Sequence, residues 1–220
     1  ASRTVQSLKM ACAQLARRDL LQKRAHWRAV LPHAVANRLA GRALDRMDLS
    51  MVGSAMEAGG NRLLRSFSRR LAFLHDVPQA QRLAADWFSP EGRLGRIDAI
   101  TDDNFSLFRN LAPLAPEAAL EAISRGAHRD PAWSSFRPYY AGARSRQELA
   151  SLVRSLAFEP QMFDEAASRL VEIAIADSQD ERQQSNKTAF EGLFKLYMSG
   201  TMAGPKQRLA FIESLLRSGQ

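Results

Sequence analysis

The spacing of apolar residues along the chain predicts helices almost from end to end. Near the start, Val5, Leu8 and Cys12 follow one another at steps of three and four, and Leu21 continues the same stripe. Residues at these steps lie on one face of an α-helix, which can bury that face against a neighbour. No run of alternating apolar and polar residues between turn residues marks a strand. The pattern therefore predicts an all-α fold.

Two later segments, residues 31–47 and 61–76, each separate an apolar face from a basic one. We expect the apolar faces to be buried; they comprise Val35, Leu39, Ala43 and Met47, and then Leu63, Leu64, Phe67, Leu71 and Leu74. We interpret the arginines of the other faces as a candidate basic surface, which comprises Arg38, Arg42, Arg62, Arg65, Arg69 and Arg70. These arginines either face solvent or pair with a neighbouring domain.

A weak repeat of helix pairs begins near Thr101. Segments that start at Arg109 and Arg154 each end one helix, turn, and place a proline at the start of the next helix, and a third segment, from Lys195, again places a proline before a helix. Their spacings of 45 and 41 residues are typical of HEAT and armadillo helix pairs, which stack because one pair cannot bury its apolar face alone. The repeat predicts a HEAT-like α-solenoid after an initial helical bundle. An irregular helical bundle throughout is the alternative.

Positive charge is concentrated in the first third of the chain. Residues 1–75 contain 14 Lys or Arg and 4 Asp or Glu, whereas the whole chain of 220 residues has a net charge of +8. A basic segment joined to a near-neutral one indicates different partners for its two parts. We therefore expect two domains, a basic helical domain over residues 1–100 and a helical-repeat domain over residues 101–220.

Cysteine use and hydropathy indicate a cytoplasmic protein with no membrane partner. Cys12 is the only cysteine, which excludes an internal disulfide and favours a reducing compartment. The longest strongly apolar run, residues 170–176, is too short for a bilayer, which needs about 20 residues. The first residues carry charges too often for a secretory signal.

The connection over residues 126–146 is long and rich in aromatic residues. Long connections inside compact domains often have a function. Exposed aromatic residues beside arginines suit stacking on a partner or a nucleic-acid base. The interpretation that we favour is that the aromatic residues fold back and fix the loop to the helices. The candidate recognition residues are Trp133, Arg137, Tyr139 and Tyr140.

No catalytic or metal site can be assembled from the sequence. The segment at Gly204 has a lysine but lacks the glycine spacing and the hydroxyl of a P-loop. His128 begins a His-Arg-Asp sequence without the other kinase motifs. The histidines have no zinc-ligand spacing with Cys12 or with one another. We therefore expect no enzymatic activity, and no metal or cofactor held by this chain alone.

The segment Ser68–Phe88 resembles part of the STAND family of signalling ATPases. The sequence Phe-Leu-His-Asp, Phe73–Asp76, is similar to the Met-His-Asp motif that ends the winged-helix region in plant members. The sequence Arg82–Phe88 is similar to the helix that follows in the NACHT branch. Leu20–Leu44 also resembles the helical segment after the nucleotide-binding core of large bacterial members.

The resemblance implies a switch role for His75 and a cap role for Asp76. In the family the histidine contacts the bound diphosphate in the resting state, and Asp76 would then cap the next helix. ATP or ADP would bind only to an upstream nucleotide-binding domain of the same polypeptide. Without the family, His75 is a residue near a helix end, where the helix dipole favours a cationic imidazole.

Taken with the repeat, the resemblance predicts a non-catalytic regulatory or sensor region of a larger signalling NTPase. Such a region would recognise a protein partner or a sensed ligand on the repeat surface. The alternative is a nucleic-acid-binding helical domain that uses the basic first third of the chain, and strongly salt-dependent binding would distinguish it.

Overall fold

The computed structural model describes residues 2–18, 20–24, 27–30, 33–136, 145–178 and 185–218. Within these ranges it contains eleven α-helices and one two-stranded hairpin, so the fold class is all-α, as predicted. The chain divides into two compact units, residues 1–55 and 56–220. This boundary lies inside the helix Leu49–Ala58 and differs from the predicted boundary after residue 100.

The first unit contains two helices, the hairpin and the start of a third helix. In chain order these are α1 (Ser2–Arg17), β1 (Leu21–Arg24), β2 (Trp27–Val30), α2 (His33–Leu44) and α3 (Leu49–Ala58). The two strands are antiparallel, with Leu21 opposite Val30. The expected continuation of the first helical stripe to Leu21 is therefore wrong, because α1 ends at Arg17 and Leu21 begins a strand.

Helix α2 does not bury the face that its pattern predicts. Val35, Leu39, Ala43 and the following Met47 are all exposed, whereas Leu44 is buried. A helical spacing places residues on one face, but it does not show whether another element covers that face. The predicted buried face of this helix is therefore wrong.

The second unit contains the remaining helices. They are α4 (Gly60–Leu71), α5 (Pro78–Phe88), α6 (Asp102–Leu111), α7 (Pro116–Arg129), α8 (Arg146–Leu156), α9 (Pro160–Ser178), α10 (Ser185–Glu191) and α11 (Pro205–Ser218). One-turn 3₁₀ helices cover Ile97–Ala99, Ala112–Leu114 and Gly192–Phe194. None of the helices in the described ranges is long and apolar enough to cross a bilayer.

Prolines start the second helix of each predicted pair. Pro116, Pro160 and Pro205 are the first residues of α7, α9 and α11. Proline suits this position because its fixed φ is helical and its missing N–H would be unpaired there in any case. The order of helix, turn and proline-started helix is therefore confirmed in the first two segments, and the proline-started helix is confirmed in the third.

Apolar and aromatic side chains form the core of the second unit. Helix α4 buries Leu64 and Leu71, as predicted, although Leu63 is exposed. Phe88 of α5 and Phe108 of α6 have ring centroids 4.7 Å apart. Such ring pairs contribute about 0.5–1.5 kcal/mol beyond the burial of their area.

A second aromatic cluster joins the last elements of this unit to α9. Phe163 of α9 has its ring centroid 6.0 Å from those of Phe194 and Phe211. Phe194 ends the last 3₁₀ helix, and Phe211 belongs to α11. The cluster therefore fixes both ends of the connection between them to α9.

Candidate recognition surface

The predicted basic residues lie on two helices in two different units. Arg38 and Arg42 are exposed on α2, in residues 1–55. The other four predicted arginines are exposed on α4, in residues 56–220. Helix α4 thus presents the larger group of basic side chains.

One arginine of α4 has a carboxylate partner inside its own unit. Arg65 forms an ion pair with Asp103 of α6, and Asn61 Nδ2 donates a 2.9 Å hydrogen bond to the same carboxylate. Because both charged side chains are nearly half exposed, the pair adds little stability. Arg65 therefore needs no absent neighbouring domain to explain it.

His75 and Asp76 lie in the exposed turn between α4 and α5. Gln81 Nε2 donates a 2.7 Å hydrogen bond to the carbonyl oxygen of His75. Helix α5 begins at Pro78, Val77 holds the cap position, and no side chain caps the first turn. The prediction that Asp76 caps this helix is therefore wrong, because Asp76 lies one residue before the cap position.

Trp133 is not an exposed recognition residue. Its side chain is 1% exposed, and its ring centroid lies 6.0 Å from that of Phe136. The favoured interpretation, that aromatic residues of this connection fold back, is confirmed for Trp133. Arg137, Tyr139 and Tyr140 lie outside the described residues.

A buried arginine holds the Trp133 segment against the helices. Arg146 Nε donates to the Trp133 carbonyl at 3.2 Å and Nη2 donates to the Ala132 carbonyl at 3.3 Å. Arg146 Nη1 forms a 3.1 Å ion pair with Asp177, which also accepts a hydrogen bond from Asn186. The two charged side chains are only 10% and 2% exposed. A buried pair requires such complete hydrogen bonding, so this network has a structural role.

Asp130 holds the start of the same segment. Its Oδ1 accepts from the N–H and the hydroxyl of Ser134 at 2.9 and 2.8 Å, and its Oδ2 accepts from the N–H of Ser135 at 2.8 Å. Partial burial raises the pKa of Asp130, but the hydrogen bonds from Ser135 and Ser134 outweigh burial and bring it below 3.8. Asp130 is therefore ionised at neutral pH.

A second group of titratable side chains joins α7 to α9. Ser124 Oγ donates to Glu165, and His128 Nδ1 lies 2.6 Å from the Ser124 carbonyl oxygen. Burial raises the pKa of Glu172 above 4.5, although Arg169 and His128 act in the opposite direction. Because His128 contacts the carbonyl of Ser124 and not its hydroxyl, it does not activate that hydroxyl.

Among the described residues, no group of side chains is arranged to hold a metal ion.

Sequence reasoning missed the connection before α11, residues 195–204, which we call the apolar loop. The sequence pattern predicts only that a helix follows at Pro205. In the structure, Leu196, Tyr197 and Met198 are 87%, 84% and 94% exposed. Burying a large apolar side chain contributes about 1.5–3 kcal/mol, so three consecutive exposed ones are a marked departure from core packing.

The apolar loop is attached to the unit near both ends. At its start, Arg208 Nη1 donates to the carbonyl oxygens of Leu193 and Lys195 at 3.3 and 2.8 Å. Near its end, the Met202 N–H donates to the Phe158 carbonyl at 2.8 Å, and Ala203 is buried. The loop backbone is therefore bonded to the rest of the unit on both sides of the exposed side chains.

Two glycines bring the loop region against Arg154 of α8. A Cβ at Gly192 would lie 2.9 Å from Arg154 Nη2, and one at Gly200 would lie 3.5 Å from it. Gly200 also has a φ of 75°, which favours glycine. Arg154 is partly exposed as a residue, and within the described part of the chain its guanidinium makes no hydrogen bond or ion pair.

These residues form the candidate recognition surface, which comprises Arg154, Phe158, Leu196, Tyr197, Met198 and Met202. Exposed apolar side chains beside an arginine are typical of protein-binding sites. The sequence does contain a signal for the surface. The apolar triplet is followed by Gly200, Gly204 and Pro205, so it has no helical continuation that could bury it.

Comparison of the chain with known protein families, with curated proteins and with solved structures finds no match. The resemblance of Phe73–Asp76 to STAND ATPases therefore stays a prediction.

Proposed function

We propose that this chain is a non-catalytic recognition module that binds a partner polypeptide through the candidate recognition surface. The observation that carries the proposal is the exposure of Leu196, Tyr197 and Met198 on a backbone that is held near both ends. Covering such a surface removes apolar area from water, which favours association. Because the loop is attached on both sides of these side chains, binding would cost less ordering than it would for an unattached loop.

Within this proposal the chain is the regulatory or sensor region of a larger cytoplasmic signalling NTPase. The resemblance of Phe73–Asp76 supports this assignment, and an exposed His75 suits a contact with a separate nucleotide-binding domain. The proline-started helices support a HEAT-like arrangement of the helix pairs. ATP or ADP would be held by the upstream domain and not by this chain.

Selection from a library of short random peptides tests the recognition proposal. The wild-type chain is the bait, and the counter-bait carries Leu196→Ser, Tyr197→Ser and Met198→Ser. We expect peptides that bind the wild type and not the serine variant. Phe73→Ser, which removes another exposed apolar side chain, should bind them like the wild type. A selection without binders, or with binders that do not distinguish the serine variant, would reject the proposal.

The family assignment is tested by His75→Ala in the longer polypeptide. An exposed histidine in a turn supplies little core volume, so the variant should fold with nearly unchanged stability. Loss of the diphosphate contact should weaken ADP retention and raise basal signalling, since a contact biases a switch only through its different affinity for the two states. Unchanged ADP retention in a folded variant would refute the switch role.

Nucleic-acid binding is the second candidate function, and the exposed arginines of α4 favour it. If these arginines contact phosphates, affinity for duplex DNA or RNA should fall steeply as salt rises. Replacing Arg69 and Arg70 by glutamine should weaken the binding further, and Arg38→Gln with Arg42→Gln shows whether α2 contributes. An affinity that does not change with salt, or that both replacements leave unchanged, would reject nucleic-acid binding.

A further inference from the structure

Arg154 is the charged group within the candidate recognition surface, and its donors are unused. Arg146, on the same helix, directs its Nε, Nη1 and Nη2 to protein acceptors. Arg154 makes no such bond within the described residues, although its guanidinium lies close to the backbones of Gly192 and Gly200. A guanidinium presents its N–H groups in a planar fork that matches the two oxygens of a carboxylate.

The side chains around the surface are mostly cationic. Lys195 begins the apolar loop and Lys206 lies in the first turn of α11, and both are exposed. Arg208 donates to backbone carbonyls, so no carboxylate offsets its charge there. Glu159 and Glu191 are exposed acidic neighbours in the chain, and Glu191 already has a lysine partner. An excess of positive charge favours partners that carry negative groups.

We propose that the occupant of this surface is a polypeptide segment that carries a carboxylate beside apolar side chains. Its apolar side chains pack on Leu196, Tyr197 and Met198, and its carboxylate forms a bidentate ion pair with Arg154. This inference rests on the proposed function and specifies the chemistry of the ligand. Bidentate pairs between arginine and a carboxylate are short and strong, and they strengthen where neighbouring apolar groups exclude water.

An anionic membrane offers related chemistry, but the exposure of the groups favours a peptide. Arg154 is only partly exposed, whereas Leu196 and Met198 stand almost fully in solvent. A bilayer surface that received the loop tip would engage exposed lysines more readily than this arginine. The carboxylate of a single side chain can reach the guanidinium while its apolar neighbours cover the loop.

The test compares matched pairs of synthetic peptides, taken from the library selection, that differ only by Glu or Gln at the acidic position. We expect the Glu peptides to bind the wild-type chain about tenfold more tightly than their Gln counterparts. Arg154→Gln should abolish this preference, and Arg154→Lys should restore only part of it because an ammonium cannot form the fork. Arg82→Gln, which removes an exposed charge from α5, should leave the preference unchanged.

The outcomes separate this inference from the proposed function. If no peptide binds the wild type, the proposed function fails and this inference fails with it. If peptides bind but Glu and Gln forms bind equally, or if Arg154→Gln keeps the preference, only the carboxylate inference is overturned. Binding to phosphatidylserine vesicles without peptide binding would also overturn it, in favour of a membrane. The comparison of the two peptide forms on the wild type requires no variant, so misfolding cannot obscure the result.

Discussion

Two connections in the second unit, residues 130–136 and the apolar loop, contain similar residues and place them differently. Each combines aromatic and small polar residues and lies near an arginine of α8. Trp133 is buried, and Arg146 donates hydrogen bonds to that segment and to Asp177. Tyr197 is exposed, and Arg154 keeps its donors unused. The difference between the two connections lies in the nearby arginine. Where the arginine bonds to the connection, the connection has a structural role, and where its donors are unused, the connection is a candidate binding site.

The two connections also share a backbone conformation that side chains rarely adopt. Trp133 has a φ of 51° and Met198 has a φ of 55°. The left-handed region costs a residue other than glycine about 1–2 kcal/mol. Burial of the Trp133 side chain offsets this cost, whereas the exposed Met198 side chain gains no such burial in the free chain. Strain that is not offset locally is a known property of functional sites.

The largest contrast is expected from truncating the two aromatic residues. Trp133→Ala should lower the free energy of unfolding by about 3–5 kcal/mol because it empties a buried site. Tyr197→Ala should change it by less than about 0.5 kcal/mol because its side chain is exposed. Urea unfolding followed by circular dichroism measures both values.

Trp133→Phe is the matched control for this prediction. It keeps an aromatic ring in the buried site, and the indole N–H finds no acceptor among the described residues. The phenylalanine variant should therefore lose less stability than the alanine variant. Equal losses for Trp133→Ala and Tyr197→Ala would remove the contrast between the two connections.

Replacing each of the two arginines of α8 by alanine should also change the free energy of unfolding by clearly different amounts. Arg146→Ala leaves the buried Asp177 carboxylate without its cation and should cost about 3–5 kcal/mol. Arg154→Ala breaks no described bond and should cost less than about 1 kcal/mol. Denaturant midpoints of the two variants check this difference. A loss of several kcal/mol from Arg154→Ala would assign that arginine to the fold and not to a ligand.

A smaller effect is expected from the glycines of the apolar loop. Gly200→Ala forces a side chain into the left-handed region and should cost about 1–2 kcal/mol, with weaker binding of the selected peptides. Gly204→Ala meets no atom within 4 Å and should change stability by less than about 1 kcal/mol. If both variants keep full stability and affinity, the fixed conformation of the loop is not required for binding.

The smallest effect concerns the pH dependence of the Trp133 segment. The folded state prefers ionised Asp130 because its pKa is lowered, so this contribution is present above pH 3.8 and is lost as the pH falls through the folded pKa. Asp130→Asn should cost about 1 kcal/mol at neutral pH. The difference from the wild type should shrink in acid. A difference that stays constant with pH would show that the charge is not involved.

The sequence predicts the elements of the second unit better than those of the first. Pro116, Pro160 and Pro205 mark helix starts by local geometry alone, and the spacing of Leu64 and Leu71 marks a face that is buried. The hairpin at Leu21 was missed because its strands are too short to show alternation. The exposed face of α2 was missed because helical spacing cannot reveal which neighbours cover a helix.

The placement of both connections depends on contacts that are distant in sequence. Trp133 is held by Arg146, whose charge is paired with Asp177, and no local pattern identifies that pair. The apolar triplet before Gly200 is exposed in the structure, whereas apolar residues in a compact unit are usually assigned to its core. Its position between a helix end and two glycines was the available signal, and it indicates a break in the helix more directly than it indicates exposure.

The most direct test of the central claim is the affinity of one selected peptide, measured by isothermal titration calorimetry. The compared proteins are the wild type, the chain with Leu196→Ser, Tyr197→Ser and Met198→Ser, and Phe73→Ser. We expect the triple variant to lose affinity by about tenfold or more, because interface anchors of this kind contribute more than about 1 kcal/mol each. Phe73→Ser should bind like the wild type, and all three proteins should unfold at similar urea concentrations. Equal affinity of the folded triple variant and the wild type would contradict the assignment of the apolar loop as a binding surface.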